Sequence, residues 1–244
     1  MQQSRTDIIT QLKKDVLFQR FSMPRNKNVS AINIPPLTSA FHFNIFPLGA
    51  VHEFICNDAS SSAASTGFIS AVLHSLMINN GVAVWLTTGQ TFFPPAFVQF
   101  GIQPDKIIFI HISNQQDLLY AMEEALKCEG LSAVVGVVKE LNFKQSRRLQ
   151  LACEKSRVTG FIVCINPRKI NTTACVARWN ITATTSLNDN DLPGVGFPVW
   201  KIQLQKVKNG KPGAWTFSWQ SGQLVHIPEQ SGKAEIFLPQ KKAV

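Results

Sequence analysis

The amino-acid sequence predicts an α/β fold: a mostly parallel sheet flanked by helices, an antiparallel β extension at its C-terminal side, and a helical arm at the N-terminus. Two patterns support this fold class. From Gly49 onward, short apolar runs alternate with amphipathic helical patterns, as they do in βαβ units. After about Asn171 the segments are rich in β-branched and aromatic residues, which favours antiparallel strands.

The N-terminal arm is predicted over residues 4–21, where apolar residues recur at helical spacing. A connector containing Pro, Asn and Ser follows as far as residue 48, and we expect it to be extended. A short helix on a long tether is typical of an arm that docks on a partner protein, but packing back onto its own domain fits equally well. The candidate partner-binding residues are Ile8, Ile9, Leu12, Val16 and Leu17.

The core is predicted over residues 49–222 and is followed by a polar tail, 223–244. Its parallel strands are predicted at 51–56, 82–87, 107–112, 133–138 and 161–165. Its helices are predicted at about 66–79, 115–128 and 143–157. The antiparallel strands are predicted at 173–184, 199–207 and 214–220, with an Asn-Gly hairpin turn at 209–210.

The stretch 54–68, FICNDASSSAASTGF, occupies the strand–loop–helix position of a phosphate-binding loop without the residues that such a loop needs. Gly67 is its one glycine, and no Lys or Arg occurs between Asn28 and Asp105. A triphosphate would meet no side-chain cation here, and the carboxylate of Asp58 would repel it. We therefore predict a protein that is not an enzyme. Nucleotide binding without hydrolysis stays open, since four serines could donate hydrogen bonds: Ser60, Ser61, Ser62 and Ser65.

Other site classes find little support in the sequence. The five cysteines include no C-x-x-C pair, and the five histidines show no ligand spacing, so we predict no disulfide framework, no metal and no cofactor. No apolar run is long enough to span a membrane, and the N-terminus lacks a secretory core, so we expect a cytoplasmic protein.

The net charge of +9 is concentrated in one part of the chain. Residues 51–138 contain two cations and seven anions, whereas residues 139–211 contain thirteen cations and four anions. Such asymmetry predicts a nucleic-acid face or an acidic partner. The candidate DNA-binding residues are Lys144, Arg147, Arg148, Lys155, Arg157, Arg168, Lys169, Lys201, Lys206, Lys208 and Lys211.

Three tryptophans lie near the last of these cations in the sequence: Trp200, Trp215 and Trp219. Cations beside aromatic rings suit single-stranded DNA, because phosphates meet Lys and Arg while bases stack on the rings. The alternative is a solvated basic face with the tryptophans in the core.

Several strings resemble the RecA/RadA recombinase core and, more closely, the ImuA family of RecA-like accessory proteins from a bacterial mutagenic repair cassette. The strings are VHEF (51–54), FGIQPDKIIF (100–109), AMEEALKC (121–128), LSAVVG (131–136), SRRLQLA (146–152), ARW (177–179) and KPGAW (211–215). Division inhibitors of the SulA type are a related possibility. The resemblance implies a RecA-like core with a degenerate P-loop across residues 49–222.

The resemblance also implies roles. In the RecA-like register the water-activating glutamate corresponds to Gly89, and the magnesium-holding aspartate corresponds to a position near Gly136 and Val137. The carboxylates that would activate water and hold magnesium are therefore both missing. Arg168 and Lys169 follow a strand at the place of DNA-facing loops. The implied partners are an ImuB-like Y-family protein, a DnaE-type polymerase and RecA, acting in translesion synthesis during the SOS response. The competing readings are a degenerate recombinase-type ATPase and a SulA-like division inhibitor.

Overall fold

The computed structural model describes residues 32–78, 80–89, 94–187 and 195–228. The predicted N-terminal helix and its five candidate partner-binding residues lie outside the described residues. Three α-helices are described: α1 (Ala59–Met77), α2 (Gln115–Leu126) and α3 (Phe143–Ser156). The strands are β1 (Val51–Cys56), β2 (Ala83–Thr87), β3 (Ile107–His111), β4 (Ala133–Val138), β5 (Thr159–Ile165), β6 (Ala177–Leu187), β7 (Phe197–Val207), β8 (Gly213–Gln220) and β9 (Gln223–Ile227).

All nine strands form one sheet in the order β3-β2-β4-β5-β1-β6-β7-β8-β9. The strands from β3 to β6 in this order pair in parallel, whereas β7, β8 and β9 pair antiparallel. Helix α1 packs on one face of the sheet, and α2 and α3 pack side by side on the other. The predicted fold class, a mostly parallel sheet with helices and an antiparallel extension, is therefore confirmed.

Strand β1 lies in the interior of the sheet, and His52 is buried beneath it in an aromatic cluster. The imidazole stacks on Phe46 at 4.6 Å between ring centroids. Its Nε2 lies 2.7 Å from the carbonyl oxygen of Pro47, while its Nδ1 accepts a hydrogen bond from the Trp179 indole at 3.2 Å. Burial lowers the pKa of His52 to about 4, which keeps the ring neutral. This histidine is a core residue with both nitrogens satisfied.

Helix α1 begins earlier than the sequence predicts. The expected small-residue loop ends at Asp58, and residues 59–65 already form the first two turns of the helix. The start is fixed by a capping box in which Asp58 and Ser61 each bond the other's backbone N–H. Alanine and serine at the following positions are compatible with a helix, so the chain does not form a phosphate-binding loop there.

The predicted domain boundaries differ from the structure at both ends. The second half of the expected linker is part of the core, because Leu37, Phe41 and Phe46 are buried against the sheet. The Ala40 carbonyl accepts a hydrogen bond from the Lys211 amide, which ties this segment to the β7–β8 hairpin. At the other end, β9 extends the sheet past residue 222, so the first five residues of the expected tail form a strand.

Candidate nucleic-acid interface

The carboxyl ends of β1, β4 and β5 meet at one edge of the sheet because the three strands are parallel neighbours. Ligands of open α/β sheets bind at this edge. Two places on it concern function: the start of α1 after β1, and the start of α3 together with the loop that follows β5. We call them the β1–α1 site and the basic edge.

The β1–α1 site is occupied by the chain's own carboxylate. The backbone N–H groups at a helix N-terminus would bind a phosphate, but here the Ser61 N–H donates to Asp58 Oδ1 at 2.6 Å. This hydrogen bond lowers the pKa of Asp58, which keeps its charge negative. Two of the four candidate serines are also engaged: Ser61 donates to the Asp58 carbonyl and Ser65 accepts from the Cys56 thiol.

Gly67, the one glycine of the degenerate loop, lies inside α1 and serves packing. A Cβ at this position would lie 2.5 Å from Cζ2 of Trp200, so the helix can approach the sheet only without a side chain there. Gly136, at the position that the resemblance gives to a magnesium-holding carboxylate, has the same function. A Cβ there would lie 2.6 Å from the Met122 sulfur on α2.

The backbone of the loop after β4 is hydrogen-bonded by the amide side chain of Gln115. Oε1 of Gln115 accepts from the Lys139 N–H at 2.7 Å, and its Nε2 donates to the Glu140 carbonyl at 2.9 Å. At the position of the water-activating glutamate, the Gly89 N–H donates to the Thr87 hydroxyl at 3.0 Å. These contacts satisfy the backbone groups locally.

The basic edge brings together two groups of candidates that are more than twenty residues apart in sequence. Asn171 Nδ2 donates to the Leu141 carbonyl at 3.2 Å, and the Ala174 N–H donates to the Ser146 hydroxyl at 2.9 Å. These bonds hold the loop after β5 beside the first turn of α3. The exposed cations of these two segments are Lys144, Arg147, Arg168 and Lys169.

Two large apolar side chains are exposed among these cations. Phe143 is 57% exposed and Ile170 is 49% exposed. Sequence reasoning missed both of them, although each is adjacent in sequence to a predicted DNA-binding residue. Exposed apolar groups beside cations can contact bases while the cations contact phosphates.

The charge around the basic edge is almost one-sided. Residues 155–187 and 195–228 contain nine Lys and Arg residues and no Asp or Glu. Within the described residues, the four cations of the basic edge form no ion pairs. In these two stretches no carboxylate offsets the positive charge, and Glu140, in the loop after β4, is the carboxylate that precedes Lys144 in sequence.

The other candidates are dispersed. Arg148 faces α2 and pairs with Glu123 at 2.7 Å. Lys201 lies at the middle of β7, opposite Thr182 of β6. Lys206 donates to the Thr173 carbonyl at 3.1 Å. The remaining candidates lie at the opposite, amino-terminal edge of the parallel strands: Lys155, Arg157, Lys208 and Lys211.

The tryptophans near Lys201 do not form a stacking surface. Trp200 and Trp219 are buried, and Trp219 donates from its indole to the Gln99 carbonyl at 3.1 Å. Trp215 is partly buried against the core. The alternative reading, with these rings in the core, describes the structure for Trp200 and Trp219.

All five cysteines are free, and four of them are buried: Cys56, Cys153, Cys164 and Cys175. Across the described part of the chain, no three His, Cys, Asp or Glu side chains come together as a group that could hold a metal ion. None of the described helices has the length and apolar character needed to cross a membrane.

The chain is similar to protein ImuA of Caulobacter vibrioides, with 28% identity over 200 residues that cover 76% of this chain and 81% of that protein. It is also similar to the cell division inhibitor SulA of Yersinia pestis, with 26% identity over 128 residues that cover 52% of this chain and 75% of that protein. No protein-family model matches the chain.

Among solved structures, the RadB recombinase aligns with a TM-score of 0.50 and 12% identity, over 72% of this chain and 90% of that chain. This likeness shows the fold, a RecA-like recombinase core. The predicted resemblance to ImuA is confirmed as a similarity over most of the chain, and the SulA similarity is weaker and partial.

Proposed function

We propose that this chain is a non-catalytic, RecA-like accessory protein of SOS-induced translesion DNA synthesis, and that it binds nucleic acid with the basic edge. The similarity to ImuA and the recombinase fold support a RecA-like accessory protein of SOS mutagenesis. The observation that carries the finer proposal is the contrast at the carboxyl edge of the sheet. Four exposed cations lie at this edge, whereas the helix N-terminus at the β1–α1 site, where a nucleotide phosphate would bind, is capped by the Asp58 carboxylate.

The basic edge suits a phosphate backbone. Lys144 and Arg147 are exposed within the first five residues of α3, and Arg168 and Lys169 are exposed in the loop after β5. Phosphate contacts of this kind give binding that depends on salt and tolerates any sequence. Phe143, exposed between them, supplies an apolar surface against which a base can pack.

Loss of ATP hydrolysis rests on three separate positions. Asp58 takes the helix N-terminus, Gly136 offers no carboxylate, and Gly89 offers no side chain to position water. Hydrolysis needs a phosphate cradle, a held divalent ion and a positioned water molecule. Because the three positions lack different requirements of the reaction, one substitution would not restore it.

The partners follow from the similarity to ImuA. We propose an ImuB-like Y-family protein, a DnaE-type polymerase and RecA as binding partners in the cytoplasm. The apolar stripe predicted at residues 4–21 is the proposed docking element. Removal of residues 1–30 is expected to weaken capture of these partners more than it lowers the melting temperature.

A salt titration of nucleic-acid binding tests the proposal. Fluorescence anisotropy of a labelled single-stranded oligonucleotide gives the affinity at several salt concentrations. Four phosphate contacts predict a slope of log K against log salt of about −3. A slope near zero, or no binding at low salt, would refute nucleic-acid recognition by this surface.

The SulA similarity supports a second candidate, an inhibitor of cell division. The two are separated by a pull-down that offers the purified protein the filament-forming division GTPase and the polymerase-type partners side by side. Capture of the GTPase alone would favour the second candidate. Capture of a polymerase-type partner alone would favour the first.

A further inference from the structure

The segment 171–176 connects the basic edge to the start of β6 and has no secondary structure of its own. The sequence predicts a strand from residue 173, but β6 begins at Ala177. Asn171 directly follows Ile170. Contacts that hold the backbone of this segment therefore also restrict the position of Arg168 and Lys169. Side chains from the sheet and from α3 make these contacts.

A buried carboxylate is the centre of this arrangement. Glu53 of β1 is 2% exposed, and one of its oxygens, Oε2, accepts two hydrogen bonds. The Thr173 hydroxyl donates to it at 2.8 Å, and Arg178 Nε donates to it at 2.8 Å. The ion pair thus connects β1, β6 and the middle of the segment.

Arg178 also reaches the start of the segment. Its Nη2 donates to the Asn171 carbonyl at 2.5 Å and lies 3.3 Å from the Thr173 hydroxyl. The planar guanidinium can point one nitrogen at Glu53 and another at Asn171, which the single ammonium of a lysine cannot do. Further bonds to this segment come from β7, where Lys206 donates to the Thr173 carbonyl, and from α3, through the Ser146 hydroxyl.

We propose that Arg178 is a positioning residue for the basic edge. Paired with Glu53, it holds residues 171–173 on the sheet, so that Arg168 and Lys169 stand beside Lys144 and Arg147. This inference rests on the proposed nucleic-acid binding. Arg178 acts through the loop, since its own guanidinium is directed inward to Glu53 and Asn171.

Trypsin cleavage after Arg168 and Lys169 tests the positioning without nucleic acid. The Arg178→Lys variant keeps the positive charge but has one side-chain nitrogen, so it cannot bond Glu53 and Asn171 from two separate nitrogens. Thr173→Val replaces the hydroxyl with a methyl group. Released from the sheet, the loop is expected to be cleaved at least about fivefold faster under native conditions. Ile202→Val, a change in the buried face of β7, is the control for general destabilisation and should leave this cleavage rate near that of the wild type.

Nucleic-acid binding gives the second readout. Arg178→Lys and Thr173→Val are expected to weaken binding by about fivefold and to reduce the salt slope by about one contact, while Ile202→Val changes neither. The double variant Arg168→Glu/Lys169→Glu distinguishes failure of the proposed nucleic-acid interface from failure of the positioning role of Arg178. If it leaves binding unchanged, the proposed interface is wrong. If it weakens binding while Arg178→Lys and Thr173→Val match the wild type in both cleavage and binding, the proposed role of Arg178 is wrong.

Discussion

The β1–α1 site and the basic edge lie at the same carboxyl edge of one sheet, and their charges are of opposite sign. At the β1–α1 site the helix N-terminus is satisfied by Asp58, and no Lys or Arg occurs between Asn28 and Asp105. At the basic edge four cations are exposed, and the C-terminal half around them contains no carboxylate from residue 155 to 187. The comparison contrasts a helix N-terminus that the chain caps with its own carboxylate with an edge where the cationic side chains stay exposed.

Two glycines near the carboxyl edge serve packing. Gly67 in α1 and Gly136 in β4 allow close contacts with Trp200 and Met122, because a Cβ would lie 2.5 Å and 2.6 Å from these side chains. At the basic edge, by contrast, the long-range hydrogen bonds hold the backbone, and among the described residues the four cationic side chains form no ion pair. The predictions that follow test this division between a region built for packing and a region built for contact.

The largest expected effect concerns the aromatic core beneath β1, the strand that leads to the β1–α1 site, and its pH dependence. Burial sets the pKa of His52 at about 4, below its unfolded value of 6.5, so between these pH values only the unfolded chain binds the proton. The free energy of unfolding should fall as the pH drops from 6.5 to 4, by about 3 kcal/mol in total. Urea unfolding at a series of pH values measures the fall, and histidine NMR resonances report the site directly. Protonation of His52 above pH 5.5 in the folded protein would contradict the buried, neutral assignment.

Charge reversal at the basic edge should have the next largest effect. Lys144→Glu/Arg147→Glu is expected to weaken nucleic-acid binding by about 30-fold at low salt and to lower the salt slope by about two contacts. The matched control, Lys208→Glu/Lys211→Glu, changes the net charge equally at the opposite edge of the sheet. Equal losses from both variants would mean that net charge, and not this surface, determines binding.

A smaller effect is expected at Gly67. In Gly67→Ala the new Cβ meets the buried Trp200 ring, and overpacking of this kind costs about 1–3 kcal/mol. Alanine's better helix propensity returns about 1 kcal/mol, so the net loss should be about 1 kcal/mol in urea unfolding. Gly130→Ala is the control, because no atom lies within 4 Å of its Cβ position. If Gly67→Ala is as stable as the wild type, the helix does not need this close approach.

The smallest effect is expected at Asp58. Asp58→Asn removes the charge but keeps an oxygen that can accept from the Ser61 N–H, so α1 should start at the same residue and the melting temperature should hardly change. Thermal shift with Mg·ATP measures whether the neutral cap admits nucleotide. We expect no shift, since the cation and the metal ligands are missing too. A clear stabilisation by ATP in this variant alone would show that one carboxylate closes the site.

The parallel core could be predicted from the sequence because its strands are continuous apolar runs. The predicted bounds of β1 and β4 match the structure, and β2 and β3 differ by one residue each. The early start of α1 could also have been predicted. Asp58 is a favoured N-cap residue, and Ser61 three residues later can complete the capping box. The burial of Trp200 had a signal as well, because it alternates in phase with Ile202 and Leu204.

The arrangement of the site could not be predicted in the same way. Whether Arg148 projects to solvent or pairs with Glu123 depends on how α2 and α3 pack, which the local sequence does not encode. The segment 171–176 is held by Glu53, 120 positions from Thr173 in the chain, so its β-rich composition wrongly predicted a strand. Long-range side-chain contacts overrode local propensity at the part of the chain that positions the basic edge.

Nucleic-acid binding measured with and without Mg·ATP tests the central claim most directly. If the nucleotide site is closed and the basic edge binds on its own, the anisotropy curves for a single-stranded oligonucleotide will superimpose at all ATP concentrations when the ionic strength is held constant, with no release of inorganic phosphate. Binding that strengthens with ATP, accompanied by steady release of inorganic phosphate, would contradict the account.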